Sequence, residues 1–357
     1  MVRSPAIVIC RVPQWLGLPR CTLLVLGLLL LACGKQEAAV VSIALHPSNP
    51  NILYIATNEA VHKSRDGGQT WEQFPNFSAR RVTTLAIDPK LPATVYAGTM
   101  GDAVYKSPDG GQHWLPHNVG LKEHVSFVNE IIFHPENTEL IYLATTVGAF
   151  VSKNGGREWE ERMAGMKEVH IVTCIALDPA HPRLLYAGTT GGTYRSDDGG
   201  NSWQKVNRGL IPEDVLNAAM ALGVNVLVVD PTNPDVIYAG TTKGLFRTGN
   251  RAESWETIGQ GLADQFVSTL ILHPSIPGTM YVGGPAGVYE TTDGGKTWHA
   301  QNEGLASLNV RTLAISPLDP HVLYAGTNGS GLYRSTDGGA HWVPVPLTAR
   351  PAAHRDP

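Results

Sequence analysis

Five side chains of this 357-residue sequence stand where a polar ligand could be held: Arg81, Asn129, Glu130, Asn225 and Arg311. Two guanidinium groups can clamp a carboxylate through paired N–H donors, and carboxamides can donate and accept at once. Glu130 adds acid–base potential. Paired with Asp214 or Asp264 at roughly 5–10 Å, it would supply the two carboxyls of a glycosidic cleavage site. A second set recurs at fixed spacing: His46, His134 and His273, Asp88, Asp178 and Asp230, and Ser316 in the seventh copy. Imidazoles and carboxylates are metal-ligand types. Each of these residues is followed by proline, however, so the reading adopted is that each caps its own Asx-Pro-type turn. Neither a metal nor a cofactor is implied.

A repeat positions these residues. Seven times, at intervals of about 44 residues, a hydroxyl residue, an acid, glycines and a tryptophan return. The copies run Ser64-Arg-Asp66-Gly-Gly68-Gln-Thr-Trp71, Ser107 to Trp114, Ser152 to Trp159, Ser196 to Trp203, Thr248 to Trp255, Thr291 to Trp298 and Ser335 to Trp342. Such a period marks one supersecondary unit whose copies bury one another's faces. The box acids Asp66, Asp109, Asp198, Asp293 and Asp337, with Asn154 in the third copy, are placed to accept main-chain N–H bonds within the turn. The fifth copy, Thr248-Gly-Asn250-Arg-Ala252-Glu-Ser-Trp255, has lost both the acid and the second glycine.

Between boxes, each unit holds short β-branched or aromatic runs bounded by Pro, Gly, Asn or Asp. Val82–Ile87, Thr94–Thr99 and Ala103–Ser107 precede the run that follows Trp114. Four strands per unit and seven units predict an all-β fold: a seven-bladed β-propeller with four antiparallel strands per blade, over residues 40–346. Each blade comes from one continuous segment, so closure needs no strand exchanged between the termini.

This architecture puts the boxes between third and fourth strands on one face. The first strands then align Val41, Thr83, Asn129, Thr173, Asn225, Ser268 and Arg311 at the opposite channel mouth. A deeper column holds Ser42, Thr84, Glu130, Cys174, Val226, Thr269 and Thr312. The uncopied members of these columns, with Arg81, are the candidate ligand contacts. Tryptophan spacings of 43, 45, 44, 52, 43 and 44 expose one insertion, at 208–222, in which Glu213 to Leu222 is expected to form a short helix behind Pro212.

The N-terminus differs in kind. Arg3, Arg11 and Arg20 precede the apolar run Leu23–Leu31, too short to span a bilayer as a mature helix. It reads as a secretory signal. The run closes on Leu30-Leu31-Ala32-Cys33, which resembles a bacterial lipobox. That resemblance implies cleavage after residue 32, a lipid on Cys33, and a tether over 33–39. Gly34, not aspartate, follows the cysteine, so the outer membrane or cell surface is expected rather than the inner membrane. Of four cysteines, Cys10 and Cys21 lie in the signal and Cys174 stands alone on a strand, so no intramolecular disulfide framework is available. Residues 347–357 are expected to be a disordered tail. Removing residues 1–32 takes three arginines and no acids, moving the net charge from −4 to −7. With no Lys/Arg run, nucleic acid is not an expected partner.

The pattern Ser/Thr-x-Asp-x-Gly-x-x-Trp resembles the Asp-box, or bacterial neuraminidase repeat. Its units are similar to those of photosystem II assembly factors, sortilin-type receptors and many bacterial exported proteins. The resemblance covers residues 40–346 and implies a non-catalytic monomeric scaffold, binding a protein or glycan partner at the face opposite the boxes. The alternative it implies is a glycoside hydrolase. Tyr-Ala-Gly-Thr and Tyr-Arg-Ser-Thr-Asp-Gly-Gly resemble xyloglucanase repeats, but those enzymes build their cleft across two propellers. Sialidases need arginines from three blades, and the mouth offers them from two, Arg80/Arg81 and Arg311. Arg195, Arg247 and Arg334 precede boxes on the other face.

Overall fold

The computed structural model describes residues 38–74, 81–121, 127–211, 222–259, 262 and 265–348. The signal and lipobox, the acids Asp214 and Asp264, and nearly all of the expected 213–222 helix lie outside the described residues. Among those described, strands form seven four-stranded sheets, each built from four consecutive strands. In the first blade these are Val40–Leu45, Leu53–Thr57, Val61–Ser64 and Glu72–Gln73, antiparallel throughout. The chain folds as a seven-bladed β-propeller.

The second strand of every blade is buried along its whole length. Both of its faces meet neighbouring blades, so its sequence is continuously apolar, without the alternation of a half-exposed strand. The repeated Tyr-Ala-Gly-Thr phrase follows from that packing. A Cβ on Gly98 would fall 2.6 Å from Thr84 and 2.7 Å from Val128 of the next blade. Only glycine lets the adjacent inner strand come so near.

The box tryptophans seal the gaps between blades. Trp159 and Trp342 donate their indole N–H to His117 and Gln301 carbonyls of the preceding blade at 2.8 and 2.9 Å. Their main-chain N–H groups bond the same preceding segments: Trp159 to Val119, Trp203 to Ala164, Trp342 to Glu303. The ring closes by this same bond. The Trp71 N–H donates to the Thr348 carbonyl at 3.0 Å, and Val40, Leu53 and Trp71 share one core with Tyr324, Leu332 and Val345. The propeller's own contacts therefore extend two residues past 346, through Leu347 and Thr348; residues 349–357 lie outside the described set.

Every inner strand but the sixth carries an irregularity at one position. Register shifts fall between Val40 and Ser42, Val82 and Thr84, Val128 and Glu130, Val172 and Cys174, Val224 and Val226, and Val310 and Thr312. The extra residue of each β-bulge is Val41, Thr83, Asn129, Thr173, Asn225 or Arg311, the column read from sequence. Bulges re-aim side chains at sheet rims.

Candidate functional site at the channel mouth

At the face opposite the boxes, a cavity of about 450 Å³ opens among residues of blades one, two, three, six and seven. Arg81, Asn129 and Arg311 line it together, with Ser268, Phe127 and Phe266. Arg81 is set by its carbonyl, which accepts the Met100 N–H at 2.8 Å. Arg311 occupies the bulge of the seventh blade, with its side chain exposed. The cavity thus joins two cations from non-adjacent blades to aromatic surface; Phe266 is 44% exposed. An oxyanion attached to an apolar body suits such a surface.

Asn129 is also a structural residue. Its Nδ2 donates to the Val172 carbonyl of the next blade at 2.7 Å. Asn225 does the same to Val267 at 2.8 Å, and the hydroxyls of Thr83 and Thr173 donate to Val128 and Val224. Four successive bulges are stapled in this way. Each staple runs from a bulge to a main-chain carbonyl of the next blade's inner strand segment. Asn225 is taken up by this role and is not among the described residues lining the cavity.

Glu130 sits one layer deeper, among channel-wall residues. Its side chain is partly buried. Burial pushes its carboxyl up to about 7, against the Ile175 N–H, which donates to Oε2 at 2.8 Å and acts to lower it. It faces Cys174, whose thiol burial pushes far above its usual range. Glu130 is not among the residues lining the mouth cavity. Its proposed partners Asp214 and Asp264 lie outside the described residues.

The other candidates resolve into turns. In the first box, Ser64 Oγ donates to Asp66 Oδ1 at 2.8 Å and accepts the Gly68 N–H at 2.8 Å, while Asp66 Oδ1 takes the Thr70 N–H. The bonds recur at Asp109, Asn154, Asp198, Asp293 and Asp337. The His, Asp and Ser set does likewise at the turns after the first strands. Asp88 accepts N–H bonds from Lys90 and Leu91, His134 from Glu136 and Asn137, His273 from Ser275 and Ile276, and Ser316 from Asp319.

Phe127, Phe266, Met100 and Asn58 were not candidates from sequence. Phe127 and Phe266 each stand two residues before a bulge column member, the place that Arg81 also occupies. That alignment is legible once the inner strands are registered.

Residues 289–300 match the family profile of the BNR/Asp-box repeat, and residues 59–181 match that of sortilin, neurotensin receptor 3. The chain is thus a propeller with repeats similar to the Asp-box. No curated protein matches it. Among solved structures, the propeller is similar to the GH74 xyloglucanase from Xanthomonas campestris, with 16% identity and a TM-score of 0.61; the match covers 88% of this chain and 61% of the enzyme. It is similar to YCF48 from Cyanidioschyzon merolae, with 16% identity, TM-score 0.60, and 84% and 96% of the two chains covered. A YCF48 structure bound to D1 peptide matches with 16% identity, TM-score 0.59, and 84% and 94% covered. At this identity the likeness is one of fold, shared by an enzyme and by a peptide-bound propeller alike.

Proposed function

We propose that this propeller is an exported, lipid-anchored monomer that binds a protein or glycan partner at the channel mouth without catalysis. The observation that carries this reading is the convergence of Arg81 and Arg311, with Asn129, on one cavity flanked by Phe127 and Phe266. The described lining of that cavity is cationic, amide and aromatic and includes no carboxylate. Such a lining holds an anionic group and an apolar body without supplying an acid–base pair. The D1 peptide on YCF48, a propeller of similar fold, supports a peptide as the class of partner.

The test is capture of the lipidated protein with its membrane neighbours. An Arg81→Glu, Arg311→Glu double variant is expected to lose the co-captured partner while melting within a degree or two of wild type. An undiminished partner set would overturn the reading. The anchor is tested apart from it: Cys33→Ser should release the protein from membranes, and continued membrane association counts against lipidation.

One observation favours a second reading, a glycoside hydrolase. A carboxyl held near 7, as at Glu130, is half protonated at neutral pH and suited to general acid work. Turnover of polysaccharides or sialosides, abolished by Glu130→Gln, would establish that reading and sink the binding one.

A further inference from the structure

On the Asp-box face, neighbouring blades are clamped by a recurring arrangement. A cation at the end of the third strand and a tyrosine on the second reach together for a box carbonyl of the next blade. Lys63 Nζ and Tyr54 Oη both donate to the Gly110 carbonyl, at 2.8 and 3.1 Å. Lys106 and Tyr96 donate to Gly155 at 3.1 and 2.8 Å. Arg195 donates to the Arg251 carbonyl at 3.2 Å.

At the seam where the seventh blade meets the first, the same pair is present but the clamp is open. Arg334 stands opposite Tyr324 in register, and the buried Arg334 Nε has no hydrogen-bond partner. Elsewhere a cation at this place also finds an acid on its own blade: Arg195 pairs with Asp197 at 2.9 Å, and Arg247 with Glu256 at 2.9 Å. In the seventh blade those two positions are Thr336 and Val343. Among the described residues, no carboxylate is ion-paired to Arg334.

A cavity of about 320 Å³ occupies the seam in front of this group. Arg334 and Tyr324 share its lining with the apolar Leu45, Ile52, Leu318 and Val322 and with the polar His46, Asn49, Asn51 and Ser316. Asp319 also lies in the lining, with Oδ1 accepting the His321 N–H of its own turn at 3.2 Å. A buried guanidinium N–H without an acceptor is costly, and Lys63, Lys106 and Arg195 meet that demand with a carbonyl oxygen from the next blade. The volume is that of a small-molecule pocket.

We infer that the seam between the seventh and first blades is a binding site for a small organic carboxylate with an apolar body, its oxygens on Arg334 and Tyr324. The site lies on the face opposite the channel mouth and is independent of the function proposed there.

Calorimetric titration of the full chain with benzoate tests it. Saturable binding is expected, weakened at least tenfold by Arg334→Met and unchanged by the Arg81→Gln, Arg311→Gln pair. Benzamide and sulfate, which lack the charge or the apolar body, should bind at least tenfold more weakly than benzoate. Leu318→Trp, at a rim residue 49% exposed, should occlude the site without touching the arginine and cause a similar loss. Crystals grown with 4-bromobenzoate should place bromine in the seam. Bromine elsewhere, affinity indifferent to Arg334→Met and Leu318→Trp, equal binding of benzamide or sulfate, or no saturable binding would each overturn the site.

Discussion

Asn129 of the third blade donates its side-chain amide to the main-chain carbonyl of Val172 in the fourth, at 2.7 Å. The bond joins one bulged inner strand to the next, and the series continues through Thr173 to Val224 and through Asn225 to Val267 of the sixth blade, whose inner strand carries no bulge. The polar column at the mouth is therefore divided. Asn129 and Asn225 hold blades together, whereas Arg311 projects freely.

Removing a staple should cost stability. Asn129→Ala leaves the Val172 carbonyl without its donor and is expected to destabilise the fold by about 1–2 kcal/mol. Arg311→Ala, with no such bond, should stay within about 0.5 kcal/mol of wild type. Urea unfolding midpoints measure both. Equal effects at the two positions would refute the division.

The fifth box keeps its geometry without its consensus residues. Thr248 Oγ1 still donates to Asn250 Oδ1 at 2.7 Å, and Asn250 still takes the Ser254 N–H at 3.0 Å. The turn then forces Arg251 and Ala252 to φ of 57° and 67°, where the other boxes place glycines. L side chains are strained in this region. Arg251→Gly should raise the melting temperature despite loss of its exposed pair with Asp235, because surface pairs contribute little. Calorimetry checks the direction; a lowered melting temperature would show that the pair outweighs the strain.

Acid should open the boxes. Burial acts to raise the Asp66 carboxyl, but bonds from Thr70 and Ser64 outweigh it and hold it at about 2. The His113 N–H holds Asp109 at about 2, and the Ser335 hydroxyl holds Asp337 there as well. With folded values below the unfolded value of 3.8, this stabilisation is present above that value and disappears as pH falls through about 2. Asp109→Asn, an exchange the third box already carries as Asn154, should keep the turn but lose the stabilisation of the ionised carboxylate, moving the acid unfolding midpoint of the protein to higher pH. Fluorescence of the box tryptophans reports that midpoint.

Glu130 has the opposite sign. Its carboxyl is raised from 4.5 to about 7, so the folded state binds the extra proton between those values. Its contribution is fully present below pH 4.5 and lost as pH rises through about 7. Glu130→Gln keeps an oxygen for the Ile175 N–H and cannot ionise. The variant should gain on wild type above pH 7 by up to ~3 kcal/mol, at about 1.4 kcal/mol per pKa unit. Unfolding series at pH 5 and pH 8.5 read the difference; a constant difference across that range would place the titration elsewhere.

Much of the mouth was legible before the fold. Aligning seven copies put Asn129, Asn225 and Arg311 in one column and set Arg81 beside it, because blades repeat residue for residue. The alignment did not reveal that the column is a ring of bulges, since a bulge exists only in the register between two strands. Nor did it separate Asn225, whose amide is spent on Val267, from Arg311, whose guanidinium faces the cavity. Phe127 and Phe266 were passed over because connector residues show no strand periodicity.

The sequence by itself determined the ring: seven boxes in phase, continuous blades, and turns whose acids and histidines accept their own main-chain N–H groups. These are local interactions, written within a few residues of one another, and repetition makes them redundant. Tertiary structure alone decided which copies are exceptional. Arg195, Arg247 and Arg334 occupy equivalent positions in the sequence, yet the first reaches a carbonyl of the next blade, the second pairs with Glu256, and the third leaves its Nε unpaired at the seam. What a repeated side chain does depends on the facing blade, a partner distant in sequence, and only closure of the ring brings the two together.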